Sequence, residues 1–399
     1  MKSWWRAAVL GLAAFLCACG SGGSPSSPSA SSSVAPAENV QPISVNHGPD
    51  GNGVNGLFTS VTLCSPGTSS CQTVNDVLVD TGSAGLRILA SALPLSLPGQ
   101  TDASGNPIGE CTPFVSSFTW GPVATADIKV SGESATNVPV QLIGSSDFPE
   151  PPADCPNGLT PADTVSALGA NGILGVGLFV QDCGSACAIS GPSNAGFYYS
   201  CTEGGCVVTA QALQNQVANP VASFPVDNNG VLVDLPVIGG EGAATASGSL
   251  IFGIGTQSNN GLGSAQIYTA DNLGNFTTVS GGHSYPSSFI DSGSNGLFFL
   301  SSSVAGIGLC ASEADFYCPA TTLSLTAQNV GQNGTSGTVK FSIANAEQLF
   351  STGNAAFSNL GGPNTGAFDW GLPFFFGRNV FVAIDGATTP GGPGPFWAY

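Results

Sequence analysis

The sequence has 399 residues, of which 42% are apolar and only 8% charged, and it contains 56 glycines and 28 prolines. Such a composition supports buried cores made of short strands and tight turns, and it argues against long helices. The net charge is −18 because six basic residues oppose 24 acidic ones, which argues against a nucleic-acid partner.

Residues 1–18 have the features of an export signal. Lys2 and Arg6 precede an apolar run that ends at Ala18 and is too short to span a membrane. The run closes with the letters LCACG, which resemble the bacterial lipoprotein box, so we predict cleavage before Cys19 and acylation of its sulfur. The alternative is an ordinary secretory signal that contains cysteine by chance. Gly20, in place of Asp, favours sorting to the outer membrane of a two-membrane bacterium. We therefore expect a lipid-anchored envelope protein that faces the periplasm or the cell surface.

Residues 19–44 are rich in glycine, serine and proline. This composition is too polar to build a core and predicts a flexible tether between the acylated cysteine and a folded domain. From about residue 45 the chain is strand-like to its end, and the segment 207–218 is the best candidate for a helix.

Ten cysteines remain once Cys19 is assigned to lipid, and an even number in an exported chain predicts disulfides. They are Cys64, Cys71, Cys111, Cys155, Cys183, Cys187, Cys201, Cys206, Cys310 and Cys318. Short spacings favour three small loops, 64–71, 201–206 and 310–318, while the other pairings stay open. Zinc is the rival interpretation, but there is no C-x-x-C pair and only two histidines, so we expect no metal and no other cofactor.

An internal repeat then organises the chain. The stretch DTGSAGLRIL at residues 80–89 matches DSGSNGLFFL at 291–300 in six of ten positions. Each copy is followed by two apolar residues and a glycine, which we place at Gly175 and Gly377. The repeat predicts two related lobes, residues 45–268 with the first motif and residues 269–399 with the second.

Two carboxylates held face to face cannot both ionise easily, so Asp80 and Asp291 are expected to share one proton. Such a pair can deprotonate a water while it protonates a carbonyl oxygen. Gly82 and Gly293, the third residues of the two motifs, allow backbone N–H groups to approach the carboxylates. The hydroxyls of the neighbouring Thr and Ser residues can supply further hydrogen bonds.

These motifs resemble those of the pepsin-like, two-lobed aspartic endopeptidases. The likeness extends over residues 45–399, is dense at the motifs and is thin between them. It implies a mostly β, bilobal, monomeric hydrolase with an extended peptide or protein substrate in the cleft. It further implies Asp80 and Asp291 as catalytic residues, and a flap with Trp120 and Gly121 at the substrate. The residues it implies as orienting the pair are Thr81, Gly82, Ser83, Ser292, Gly293 and Ser294.

The chain departs from that family at three points. Pro122 follows the expected flap tip and has no backbone N–H to offer a substrate. Arg87 replaces a common tryptophan, and its charge would lower the pKa of a nearby carboxyl group. A lysine-rich prosegment is also missing from the sequence. The alternative is therefore a catalytically inactive pepsin-like lipoprotein that binds a peptide, a glycan or a protein partner.

Two further alternatives concern particular segments. A serine hydrolase is disfavoured because Gly82 and Gly293 directly precede the serines, which breaks the G-x-S-x-G spacing. The cysteine-rich segment 181–206, which carries Phe197, Tyr198 and Tyr199, could shape substrate choice. Its other interpretation is a surface loop stapled by disulfides.

Overall fold

Short strands make up most of the chain that the computed structural model describes, which comprises residues 38–146, 148–155 and 158–399. The predicted signal, the predicted acylation site Cys19 and the predicted tether up to residue 37 lie outside these residues. The first strand begins at Val40, so the tether predicted for 19–44 extends too far: Ile43 and Val45 alternate with polar residues and are buried. Among the described residues, no helix is both long and apolar enough to cross a membrane.

The strands up to residue 252 and those after it are numbered in chain order. The earlier strands are β1 (Val40–Asn46), β2 (Gly56–Cys64), β3 (Cys71–Asp80), β4 (Ala84–Leu89), β5 (Ile108–Pro113), β6 (Ser117–Val130), β7 (Glu133–Ile143), β8 (Thr160–Pro161), β9 (Gly172–Val176), β10 (Tyr198–Thr202), β11 (Gly205–Val208), β12 (Gly230–Asp234) and β13 (Ala246–Phe252). The later strands are β14 (Ile267–Thr269), β15 (Phe276–Ser280), β16 (His283–Ile290), β17 (Leu297–Phe298), β18 (Leu323–Val330), β19 (Ser336–Ile343), β20 (Gly361–Gly362), β21 (Asp369–Trp370), β22 (Asn379–Ala383), β23 (Thr388–Thr389), β24 (Gly392–Pro393) and β25 (Phe396–Ala398).

Helices are few and short, as the glycine and proline content predicts. They are α1 (Val165–Leu168), α2 (Ser302–Ala305) and α3 (Ala346–Ser351), with 3-10 turns at Ala90–Ala92, Gly184–Cys187, Leu213–Asn215, Pro220–Ser223 and Leu372–Phe374. The helix expected at 207–218 is wrong: this segment holds the end of β11 and one 3-10 turn, because β11 pairs with β10 instead.

Two large sheets give the chain its two-lobed, mostly β architecture. A 16-stranded sheet runs in the order β11-β10-β5-β6-β7-β4-β9-β3-β2-β1-β13-β12-β22-β25-β14, with β8 attached to β6. The second sheet has seven strands in the order β19-β18-β15-β16-β21-β17-β20. We call the part with Asp80 the first lobe and the part with Asp291 the second lobe. The C-terminal strand β22 pairs with β12 of the first lobe, and the predicted boundary at 268/269 falls inside β14.

Each lobe threads one short strand between the two arms of an aspartate loop. In the first lobe, β9 lies parallel to β3, with Asp80 opposite Gly175, and antiparallel to β4. In the second lobe, β21 lies parallel to β16 and antiparallel to β17. This parallel arrangement places Asp80 and Asp291 at equivalent ends of their strands.

The register corrects one expectation about the second lobe. The residue equivalent to Gly175 is Gly371, directly after β21, and not Gly377. A Cβ at Gly371 would lie 2.1 Å from the carbonyl oxygen of Gly296, so the threaded chain needs glycine at this position. Gly377 instead follows a 3-10 turn, and its amide donates to the carbonyl of Leu235.

Five disulfides join the ten cysteines. The pairs are Cys64–Cys71, Cys111–Cys155, Cys183–Cys187, Cys201–Cys206 and Cys310–Cys318. The three small loops predicted from spacing are confirmed. The longer link, between β5 and the loop at residue 155, could not be read from spacing because its cysteines are 44 residues apart.

Candidate active site

Asp80 is the last residue of β3, and the turn that follows it holds its carboxylate. The backbone N–H of Gly82 donates to Oδ1 at 2.8 Å, and the Ser83 hydroxyl donates to Oδ2 at 2.5 Å. Both oxygens therefore have a donor from the residues that directly follow in sequence. Asp80 is almost buried, with 6% of its surface exposed.

Asp291 follows β16 and has the same set of local partners. The N–H of Gly293 donates to Oδ1 at 2.7 Å, and the Ser294 hydroxyl donates to Oδ2 at 2.7 Å. The repeat seen in the sequence is thus a repeat in hydrogen bonding. Each lobe presents one carboxylate with its oxygens oriented by the same two positions of the motif.

Thr81 and Ser292 connect the two motifs across the lobes. The Thr81 hydroxyl donates to the carbonyl of Ile290 at 3.0 Å, and the Ser292 hydroxyl donates to the carbonyl of Val79 at 2.7 Å. Each hydroxyl also accepts the backbone N–H of the other residue. All four groups are buried, so these bonds fix the two loops relative to each other.

The glycines of the motifs lie against the carboxyl group of the opposite lobe. A Cβ on Gly82 would lie 2.6 Å from Cγ of Asp291, and a Cβ on Gly293 would lie 2.8 Å from Oδ1 of Asp80. The two carboxyl groups therefore face each other across two glycines. Any side chain at either position would overlap the pair.

The electrostatics of the pair follow from this proximity. The pKa of Asp291 is raised well above its ordinary value, chiefly by burial and then by the negative charges of Asp80 and Asp369. The Ser294 hydroxyl opposes that shift by its hydrogen bond. Because one member of the pair holds a proton more tightly than a free carboxyl group would, the site can keep one proton on two carboxylates.

A cavity of about 450 Å³ opens above the two carboxyl groups. It is lined by Asp80, Thr81, Gly82, Ser83, Ala84, Arg87, Thr112, Pro113, Phe114, Val115, Leu178, Phe179, Gln181, Asp182, Phe197, Leu273, Gly274, Asn275, Phe289, Asp291 and Trp397. The lining comes from both lobes and is rich in aromatic and aliphatic side chains around the two carboxyls. Such a pocket suits an organic ligand with a polar group at its centre.

Trp120 and Gly121 are not at the tip of the hairpin that covers this cavity. They lie within β6, where Trp120 packs on Phe148 and Tyr199 and its Nε1 donates to the carbonyl of Pro149 at 2.7 Å. Gly121 is packed against the backbone, since a Cβ there would lie 1.9 Å from the carbonyl oxygen of Leu142. The flap residues expected from the sequence are therefore misplaced, and Trp120 is a packing residue.

The hairpin tip lies at residues 114–116, between β5 and β6. Phe114 and Val115 line the cavity, and Val115 is 91% exposed. Sequence reasoning missed this tip because it looked for an aromatic residue followed by glycine. The available signal was the turn itself, a short break between two strand-like runs directly after Pro113.

Arg87 is fully buried and contacts carboxylates other than the central pair. Its Nη2 donates to Glu110 Oε1 at 2.9 Å and to Asp182 Oδ2 at 2.8 Å, and its Nη1 donates to the carbonyl of Ala84. Arg87 does lie beside carboxyl groups, but these are Glu110 and Asp182, and the lowered pKa expected from its charge is not found at Asp182. The pKa of Asp182 is nevertheless raised, by burial and then by the charge of Glu110.

The cysteine-rich segment 181–206 contributes to this wall of the cavity. Phe197 lines the cavity, whereas Tyr198 is buried and donates its hydroxyl to Asp182 at 2.7 Å. Tyr199 packs on Trp120. The segment is therefore both stapled by disulfides and part of the cavity lining, so the two interpretations of it from the sequence do not exclude each other.

This fold and this pair of carboxyls define the class: the chain has the bilobal pepsin-like aspartic proteinase fold. The crystal structure of an aspartic proteinase from Irpex lacteus matches it with a TM-score of 0.51 at 14% identity, over 90% of this chain and 96% of that chain. The chain belongs to the family DUF3443, described as "Protein of unknown function", whose model matches residues 35–399. No curated protein matches the sequence significantly.

Proposed function

We propose that the protein is an aspartic endopeptidase in which Asp80 and Asp291 activate a water molecule. The observation that carries this proposal is the pair of carboxyl groups facing each other across Gly82 and Gly293, each with the same two local donors. A structural aspartate needs one set of partners. Here each lobe has a matching set of hydrogen-bond donors around its carboxylate, and both carboxylates lie under one cavity. This favours a site that uses both carboxyl groups together.

Asp291 and Asp80 begin the reaction in different protonation states. Asp291, whose pKa is raised by burial and by Asp80, holds the shared proton, and Asp80 is the base. Asp80 takes a proton from water as the water oxygen bonds to the peptide carbonyl carbon, while Asp291 gives its proton to the carbonyl oxygen. The tetrahedral diol then breaks its C–N bond. The amide nitrogen takes the proton from Asp80, and a diol hydroxyl returns one to Asp291.

The substrate would be an extended peptide bound in the cavity below the β5–β6 hairpin. Strand addition would supply backbone hydrogen bonds, and the apolar lining would accept apolar side chains. Phe114 of the first lobe and Phe289 of the second lobe both line this space. We expect peptides with apolar residues on both sides of the cleaved bond to be preferred.

Carboxamide variants of the pair test the proposal. Asp80→Asn and Asp291→Asn should each lower kcat by about 10²–10⁴-fold or more, since each removes a proton-transfer group without changing its shape. Asp234→Asn, at an exposed aspartate in β12, is the matched control and should keep full activity. Equal loss in all three variants, or loss in none, would reject the assignment.

We also propose that the protein is anchored to the bacterial envelope through Cys19. The supporting observation is the sequence pattern of residues 1–20, and about 20 residues lie between Cys19 and the first strand, which begins at Val40. Expression of the full chain with labelled palmitate should give a labelled protein in the membrane fraction. Cys19→Ser should lose the label, and labelling that persists would contradict the proposal.

A binding lipoprotein without catalysis remains the second candidate, and one observation favours it. Phe114 and Val115, the two tip residues that line the cavity, carry no hydrogen-bonding side chain, so they offer a substrate no polar side-chain contact for its alignment. A folded wild-type chain that binds peptides reversibly but leaves them intact would identify this function.

A further inference from the structure

The carboxyl group of Asp369 lies beside the central pair in the second lobe. The first lobe has an apolar residue at the equivalent position. In the first lobe, Leu78 of β3 pairs with Ile173 of β9. In the second lobe, the equivalent Phe289 pairs with Asp369 of β21. Asp369 therefore takes the place of Ile173, two residues before the glycine that threads the loop.

The backbone around Asp369 is tied to the loop that holds Asp291. The N–H of Asp291 donates to the carbonyl of Trp370 at 3.0 Å, and the N–H of Leu372 donates to the carbonyl of Ser294 at 2.7 Å. Two residues that follow Asp369 in the chain thus bond the aspartate loop directly. This fixes the third carboxyl close to the pair.

Asp369 is buried and its bonding is incomplete. Only 4% of its surface is exposed, and its Oδ1 has no hydrogen-bond partner among the described residues. Its neighbours across β16 and β17 are Phe289 and Phe298, which do not titrate. An unpaired polar atom in such a place costs free energy, so a reason to keep a carboxyl here is expected.

We propose that Asp369 is a positioning residue for the dyad: a third buried acid, held against the Asp291 loop, whose charge state sets how firmly Asp291 keeps its proton. The inference rests on the proposed function for its effect on catalysis. The effect of Asp369 on the protonation of Asp291 does not depend on whether the protein is a peptidase. The first lobe has Ile173 in place of Asp369, so only Asp291 of the pair has a third acid beside its loop.

The charged groups that act on Asp369 come from both aspartate loops. Burial raises the pKa of Asp369 to about 8; the neighbouring Ser294 hydroxyl opposes this rise, and the charge of Asp80 adds to it. The charge of Asp369 in turn helps to raise the pKa of Asp291, after burial and the charge of Asp80. Below about pH 8 Asp369 is neutral, and above that pH its charge opposes the loss of the proton from Asp291.

Two variants test the proposal on the full chain. Asp369→Asn keeps the shape and removes the titration, and Asp369→Ile installs the residue of the first lobe. In both, the part of the alkaline limb of the kcat/KM profile that lies above about pH 8, where Asp369 is charged, should move to lower pH by about half a unit or more. The exposed Asp234→Asn should leave the profile unchanged. An unchanged alkaline limb in a folded Asp369 variant would overturn the proposal.

A second measurement separates this inference from the proposed function. Carbon NMR of labelled aspartate side chains in the wild-type protein should show Asp369 titrating far above ordinary aspartates, with a second step in the Asp291 signal at the same pH. This readout needs neither activity nor a folded variant. A protein that cuts no peptide but shows the coupled steps would lose the proposed function and keep the inference. Independent titration curves would reject the inference whatever the activity.

Discussion

Thr81 and Ser292 exchange hydrogen bonds across the two lobes, each backbone N–H donating to the other residue's hydroxyl, at 3.1 Å and 2.9 Å. The two residues occupy the same place in the repeated motif. Because each hydroxyl also donates to a carbonyl of the opposite lobe, four buried bonds depend on two side chains. The alignment of Asp80 with Asp291 is built on this exchange.

We predict that Thr81→Val and Ser292→Ala each destabilise the protein by about 1–3 kcal/mol, since each leaves a buried N–H and a buried carbonyl without a partner. Each change removes two different bonds, but the double variant should cost less than the sum, because the first change already loosens the alignment of the two loops on which the remaining bonds depend. Chemical denaturation of the four proteins measures this cycle. Strict additivity would mean that the two hydroxyls do not act as one unit.

Gly82→Ala should lower activity by about 10²-fold or more while the protein remains folded. The added methyl would lie 2.6 Å from Cγ of Asp291 and would push the carboxyl groups apart, and small misplacements at a reacting centre cost about 10²-fold in rate. Gly239→Ala is the matched control, because a Cβ there meets nothing within 4 Å. Activity that Gly82→Ala leaves unchanged would show that the two carboxyls do not work as a pair.

Arg87→Met should lower the free energy of unfolding by about 3–5 kcal/mol, since it leaves Glu110 and Asp182 buried without their cation. The matched control is Lys129→Met, at an exposed lysine in β6, which should change stability by less than about 0.5 kcal/mol. Denaturant titration at neutral pH measures both. A mild effect of Arg87→Met would mean that the two carboxyls are neutralised in another way.

Stability should fall as the pH rises from about 4 to 8. Asp369 has a pKa of about 8 in the folded protein and an ordinary value of 3.8, so in this window the folded state binds more protons than the unfolded state. The slope has an upper limit of about 1.4 kcal/mol per pH unit for each such group, and Asp291 acts in the same direction. Asp102, whose pKa is lowered by a hydrogen bond from Ser200, acts oppositely, below about pH 4. A melting temperature that stays constant or increases from pH 4 to pH 8 would contradict this prediction.

The sequence predicted the parts of the site that are local. In each motif, the aspartate and the two groups that donate to its carboxylate lie within four residues of sequence. A repeat of ten residues therefore contains the hydrogen bonds that orient each carboxylate. The two-lobed fold followed from the same repeat. Three disulfides could be read from spacing because each closes a short loop.

The parts that failed depend on contacts between distant segments. The threaded glycine of the second lobe was predicted at Gly377 because two apolar residues precede it, whereas the true position, Gly371, is preceded by Asp369 and Trp370. The partner Asp182 of Arg87 is 95 residues away in the chain. Trp120 was placed at the cavity from its neighbour Gly121, although both pack inside β6. Burial and register, not residue type, decide these positions.

The most direct test of the central claim is peptide cleavage by the oxidised full-length protein across pH 3–7, read by mass spectrometry with and without a statine-type inhibitor. We predict cleavage between apolar residues, strongest at acid pH and abolished by the inhibitor, because the inhibitor's hydroxyl would take the place of the activated water between Asp80 and Asp291. A folded protein that cuts nothing over this range, or that cuts equally well with the inhibitor bound, would contradict it.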